Sequence, residues 1–132
     1  MNTPEKETEN KLATVQASPS ERFTNAVMRE FPNGGNGPVE LTSFQRKLIS
    51  NYFIKLDSAL IEAEAKRMWK SEQNRDPIAY TWNNVNMRKL AQDVVAFSSI
   101  GLDPLQKNHI TPIPFKDSKT NQINVTMIPG GF

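Results

Sequence analysis

Ser98 to Phe132 reads SSIGLDPLQKNHITPIPFKDSKTNQINVTMIPGGF. The stretch opens on the end of a helix. Gly101 sits where a left-handed C-terminal cap belongs, and Asp103-Pro104 forces a turn. His109–Phe115 and Gln122–Ile128 then read as two strands, the second alternating Ile123, Val125 and Met127 against Asn124, Thr126 and Ile128. Lys116–Asn121 is the polar loop between them. Pro112 and Pro114 cannot donate to a ladder, so the first strand is expected at an edge, or with its proline-bearing side toward solvent or a ligand. The chain stops after a Pro-Gly-Gly turn signal, as expected of a sheet begun and not completed.

Working back from there, Met87, Leu90, Ala91, Val94 and Val95 recur at helical spacing, and Asn83 or Asn84 is the expected N-cap. Asn74-Arg75-Asp76-Pro77 marks a turn, because Pro77 biases Asp76 away from the helical region. A long helix precedes it, opened by the capping box Thr42-Ser43-Phe44-Gln45 and running to about Glu72. Its apolar residues spread over more than one narrow stripe. It is therefore expected to pack on two sides or to break near Asp57-Ser58. Another helix starts at Ser18-Pro19-Ser20-Glu21, a capping box with proline at the first helical position, and carries Phe23, Ala26, Val27 and Phe31 on one stripe. The fold class expected is α+β: about three helices in an N-terminal helical region, followed by a β-hairpin that starts an incomplete sheet.

Two segments carry no such pattern. Residues 1–17 hold almost no large apolar side chain, so burial cannot offset the entropy of ordering them, and a disordered leader is expected. Residues 32–38, PNGGNGP, are expected to form a flexible loop. Residues 18–132 then make one domain.

Composition narrows the function. Of the 132 residues 37% are hydrophobic, and none is cysteine, which excludes disulfides, thiolate nucleophiles and zinc–sulfur sites. The polar N-terminus lacks the apolar core of a signal peptide, and no apolar run is long enough to span a membrane. A soluble, cytoplasmic protein with no membrane partner is expected. The net charge of +2 is uneven: −2 over residues 1–40 and +4 over residues 41–132. A basic body behind an acidic leader suits a polyanionic partner.

Catalytic patterns are few. His109 is the single histidine and is expected to be a structural hydrogen-bonding residue, since nucleophilic and metal sites need partners that the sequence does not supply. The glycine run at 34–37 lacks the Lys-Ser/Thr of a phosphate-binding loop. Glu62, Glu64, Asp93 and Asp103 read as solvated helix faces and turns. No enzyme, metal or cofactor is expected. The remaining signal is aromatic and basic interleaving: Trp69, Tyr80 and Trp82 lie near Lys66, Arg67, Lys70, Arg75, Arg88 and Lys89. Cationic grooves with stacking aromatics hold single-stranded nucleic acid. Trp69, in register with Ile61 and Met68, is expected in the core. Tyr80 and Trp82 are less committed to it.

Met87 to Phe132 resembles part of the RecT family of phage single-strand annealing proteins. The resemblance rests on Ser98-Ser99-Ile100-Gly101-Leu102-Asp103-Pro104, on Asn108-His109-Ile110 with Ile113-Pro114-Phe115, on the basic hairpin loop, and on Ile123–Ile128 leading into Gly130. Gly131-Phe132 departs from the aromatic and basic pair usual after that glycine. The family's longer C-terminal portion is absent, so the chain resembles its N-terminal part only. The resemblance implies ATP-independent binding of single-stranded DNA, annealing of complementary strands in phage or prophage recombination, a homo-oligomeric ring or filament, and a phage exonuclease partner. DNA-binding candidates carried over by position and charge are Lys107, Asn108, His109, Lys116 and Lys119, with Arg88 and Lys89 on the preceding helix. Two other classes compete: a small helical oligomerisation or interaction module without DNA affinity of its own, and a compact regulator placing a helical pair on duplex DNA. The second lacks the short glycine-containing helix-turn-helix signature.

Overall fold

A computed structural model describes residues 17–31 and 41–130. The disordered leader expected at 1–17 falls, except for Ala17, outside the described residues, as do the loop at 32–38 and Gly131-Phe132. The described residues form an α+β structure of three α-helices followed by a two-stranded antiparallel sheet that does not close.

Helix α1 spans Pro19–Glu30, with the Ser18 hydroxyl accepting from the Glu21 N–H at 3.2 Å. Phe23, Ala26 and Val27 are buried; Phe31, expected on the same stripe, is the extended C-cap residue and only half-buried. Helix α2 spans Ser43–Trp69, and both halves of its capping box form. The Gln45 N–H donates to Thr42 Oγ1 at 3.0 Å, and the Thr42 N–H to Gln45 Oε1 at 2.9 Å.

The expectation that α2 packs on two sides or breaks near Asp57-Ser58 is corrected. The helix is continuous and buries one stripe, Leu48, Ile49, Tyr52, Leu56 and Leu60, while Ile54, Ile61 and Met68 stay exposed. Asp57 does not compete for the helix backbone because its carboxylate accepts the Trp82 indole N–H at 2.9 Å. The helix also stops three residues short of Glu72. Lys70 turns extended, and a single 3-10 turn covers Glu72–Asn74.

Helix α3 spans Met87–Ser99 and is capped by Asn86, whose Oδ1 accepts from the Lys89 N–H. Asn83 and Asn84, expected as caps, lie in a 3-10 turn and are committed elsewhere. Asn83 accepts from Arg22, and Asn84 donates to the Ala79 carbonyl. At its other end Gly101 has φ +80°, its N–H donates to the Ser98 carbonyl, and the Leu102 N–H donates to that of Phe97. This pair of bonds is a Schellman cap.

Strands β1 (Ile110–Asp117) and β2 (Gln122–Pro129) pair in a register that opposes Ile110 to Pro129, Pro112 to Met127 and Pro114 to Val125. Those three pairs share one parity. Proline lacks an N–H, so they are the pairs that exchange no ladder bonds, and Pro112 and Pro114 point their backbone nitrogens outward from the β1 edge. The hairpin is covered on one face, where Ile110, Ile123, Val125 and Met127 join the helices in a single core. The Asn86 N–H ties the start of α3 to the Ile123 carbonyl at 3.0 Å.

Trp82 belongs to this core. It is 8% exposed, stacks on Phe53 with ring centroids 5.1 Å apart, and meets Phe23 edge-on. Trp69 does not: it is 90% exposed. Ile61 and Met68 lie on one flank of Trp69, and that part of the helix turns outward, because beyond Leu60 no residue of α2 is buried.

Candidate nucleic-acid interface

The carried-over residues do not form one cluster. Lys107 and Asn108 are exposed in the turn before β1, and Asn108 adopts φ +67°. His109 follows, half-buried, with Nδ1 accepting the Asp103 N–H at 3.1 Å. Lys116 and Lys119 lie toward the other end of the hairpin, and the eight-residue strand Ile110–Asp117 spans roughly 23 Å at the usual rise. Lys119 is exposed in the loop. Lys116, expected in that loop, is in β1 instead and pairs with Asp76, Nζ to Oδ2 3.2 Å. Lys89 pairs with Asp93 at 2.9 Å one turn along α3. Arg88 is 4.0 Å from Glu30 and borders a separate groove with Arg29 between α1 and α3.

A better-formed site lies between the end of α2 and the outer edge of β1. It is an open groove of about 550 Å³. Glu62, Lys66 and Lys70 line one wall, Pro112, Ile113 and Pro114 the other, and Asp76 and Tyr80 line the part supplied by the 70–81 loop.

The loop is held in place by a clamp that explains the groove's shape. Arg67 donates through Nε and Nη2 to the two oxygens of Glu64, both at 2.8 Å, and through Nη1 to the Asp76 carbonyl. Glu64 Oε1 also accepts the Tyr80 N–H at 2.8 Å. Glu64 is therefore no solvated helix-face carboxylate. The Arg67 hydrogen bonds, then the Tyr80 N–H, hold it below the usual carboxylate range against the opposing effect of burial. Asp76 is held low in the same sense by the Ile78 N–H first and Lys116 after it. Asp103 likewise organises a turn: its carboxylate accepts from Asn51 and from the Leu105 N–H.

With Arg67 and Lys116 committed, the groove's available cations are Lys66 and Lys70. Lys66 has only a loose surface pair with Glu62 at 3.6 Å, both side chains more than 70% exposed. Lys70 makes no ion pair among the described residues. Both appear in the aromatic and basic run of the sequence. Their importance was hidden because Arg67 and Arg75, in the same run, are spent on structure: Arg75 Nη2 donates to the carbonyls of Met68 and Lys70 at the end of α2. Only three-dimensional pairing separates free cations from bound ones.

Among the described residues no group of three or more His, Asp or Glu side chains is arranged to hold a metal ion, and no helix is long and apolar enough to cross a membrane. Compared with protein-family models, curated proteins and solved structures, the chain matches none.

Proposed function

We propose that this chain binds single-stranded DNA and anneals complementary strands without ATP, acting within a homo-oligomer, as the resemblance to RecT proteins implies. The observation that carries the reading is the Lys66–Lys70 groove. Its unspent charges are Lys66, Lys70 and the exposed Glu62, a net positive set, and it is open rather than enclosed, as a flexible polyanion requires. Its far wall also disfavours a peptide adding as a third strand, because Pro112 and Pro114 offer no outward N–H. Phosphates on the lysines leave base edges free to test a second strand, and no bond is made or broken. Lys119 and Lys107 are exposed near opposite ends of the hairpin, outside the groove, as further phosphate contacts.

Anisotropy of a labelled single-stranded oligonucleotide at low and moderate salt tests the reading. Saturable binding is expected, with a slope in log K against log salt of about −1.4 if Lys66 and Lys70 each neutralise a phosphate and about −3 if Lys107 and Lys119 do so as well. A second titration follows annealing of complementary strands in the absence of nucleotide. A folded chain that binds no single strand at low salt overturns the proposal.

A second reading, a helical interaction module, is favoured by one observation. Ile54, Ile61 and Met68 recur every seven residues on α2 and are 52%, 64% and 50% exposed. That stripe supports the assembly part of the proposal as well.

A further inference from the structure

We propose that Trp69 is a base-stacking platform at the mouth of the Lys66–Lys70 groove, an inference that rests on the single-strand reading and names the residue that reads the strand. Trp69 is the last residue of α2 and, at 90% exposed, the most exposed large apolar side chain described. Its ring contacts no other aromatic ring, and its indole N–H has no partner among the described residues. The fold therefore makes no use of it.

Its position is nonetheless fixed. Arg75 bonds the carbonyls of the residues on either side, Met68 at 3.2 Å and Lys70 at 2.9 Å, and the Lys70 N–H closes back on the Arg67 carbonyl. A guanidinium on these carbonyls also offsets the partial negative charge of a helix C-terminus, which would otherwise repel phosphate. With its backbone held and only two side-chain torsions free, the indole loses little entropy when a flat ligand covers it.

The charge around Trp69 selects the ligand. At 100° per residue, Lys66 and Lys70 lie about 60° and 100° around α2 on one side of it, with Glu62, the loose partner of Lys66, about 20° round on that side two turns back, and Ile61 and Met68 about 80° and 100° on the other. Trp69 thus borders the lysine groove on one flank and the apolar stripe on the other. A ligand that offers a flat π-face beside a string of negative charges matches the groove flank. Single-stranded nucleic acid does so; duplex DNA, with its bases stacked inside, does not.

The test uses the full chain, a fluorescein-labelled oligo-dT and the same sequence as duplex. Trp69→Ala is expected to weaken single-strand binding about ten-fold and Trp69→Phe to recover most of the loss, since stacking needs a ring. Duplex affinity should not change. In the wild type, oligo-dT should quench the solvent-exposed emission of Trp69, while Trp69→Phe, retaining only buried Trp82, should show no quenching. Unchanged single-strand affinity in Trp69→Ala, or an equal loss for duplex, overturns the stacking role and leaves the single-strand reading standing. Loss of oligomer mass in Trp69→Ala with unchanged DNA affinity overturns it in favour of a protein contact. A wild-type chain that binds neither DNA overturns both.

Discussion

Lys116 Nζ lies 3.2 Å from Asp76 Oδ2, joining strand β1 to the loop that follows α2. Lys116 is therefore an occupied cation, three-quarters buried beside its carboxylate, rather than a free one in a hairpin loop. Lys116→Ala should weaken single-strand binding less than Lys66→Ala or Lys70→Ala, each of which removes an available charge. Asp76→Asn, which releases Lys116 while keeping a side-chain acceptor for the Ile78 N–H, should tighten binding at low salt. Anisotropy at two salt concentrations checks the order of the three alanine variants and the sign of the fourth.

Glu64 carries a prediction about acid. Its carboxyl is depressed in the folded state by Arg67 first and then the Tyr80 N–H. A carboxyl with a lowered folded pKa adds stability that is fully present above its unfolded value, about 4.3, and is lost as pH falls through the lower folded value. Thermal melts of the wild type should fall below about pH 4. Glu64→Gln should melt lower than the wild type at pH 7, with the gap closing in acid. A gap that stays constant from pH 7 to pH 3 would show that the Glu64 charge does not matter to the clamp.

Gly101 and Tyr52 both hold the start of the segment that enters the hairpin, since Tyr52 bonds Leu102, the residue after Gly101. A Cβ built on Gly101 meets nothing within 4 Å, so the cost of Gly101→Ala is the left-handed backbone alone, about 1 kcal/mol. Gly101→Asn should cost less, since asparagine tolerates that region better. Tyr52 is fully buried and donates its hydroxyl to the Leu102 carbonyl at 2.7 Å; burial, and then the Asp103 charge, push its pKa above the ordinary value. Tyr52→Phe leaves that carbonyl without its partner and should cost about 1–3 kcal/mol. Urea denaturation of the three variants measures all of these differences.

What could be read from the sequence follows from how local each signal is. The Thr42 capping box, the Gly101 cap and the inward Ile123, Val125 and Met127 depend on residues a few positions apart and form as expected, whereas Asn124, expected on the outward side, is buried and donates to Asp117. The N-cap of α3 is Asn86 rather than Asn83 or Asn84, which are drawn away by Arg22 and the Ala79 carbonyl, partners that proximity in sequence does not settle. Trp69, expected in the core, is on the surface, and Trp82, less committed in the sequence, is in the core, for a related reason. Periodicity groups Trp69 with the Ile61 and Met68 side of the helix but does not show which side meets the hairpin. Charge was the least legible property, since Arg67 and Lys116 look as free as Lys66 and Lys70 until their carboxylate partners are placed.

The apolar stripe of α2 yields the last prediction. Ile54, Ile61 and Met68 are spaced by seven residues, with the small Ser58 and Ala65 set between them four residues after each isoleucine. A second helix laid along this face meets large side chains alternating with gaps, the arrangement that lets two helices interdigitate. None of the three is part of the core. The double substitution Ile61→Glu, Met68→Glu should therefore leave the thermal melt of the folded chain nearly unchanged, within about 0.5 kcal/mol for surface positions. Light scattering of the wild type is expected to show an oligomer, and the double variant a smaller species. The two charges lie on the flank of Trp69 away from Lys66 and Lys70, so per-chain affinity for a short oligo-dT should persist while annealing of long strands, which needs many chains side by side, should fall. A wild type that remains monomeric at every concentration, with or without DNA, would remove the stripe's role in assembly and leave the groove to act alone.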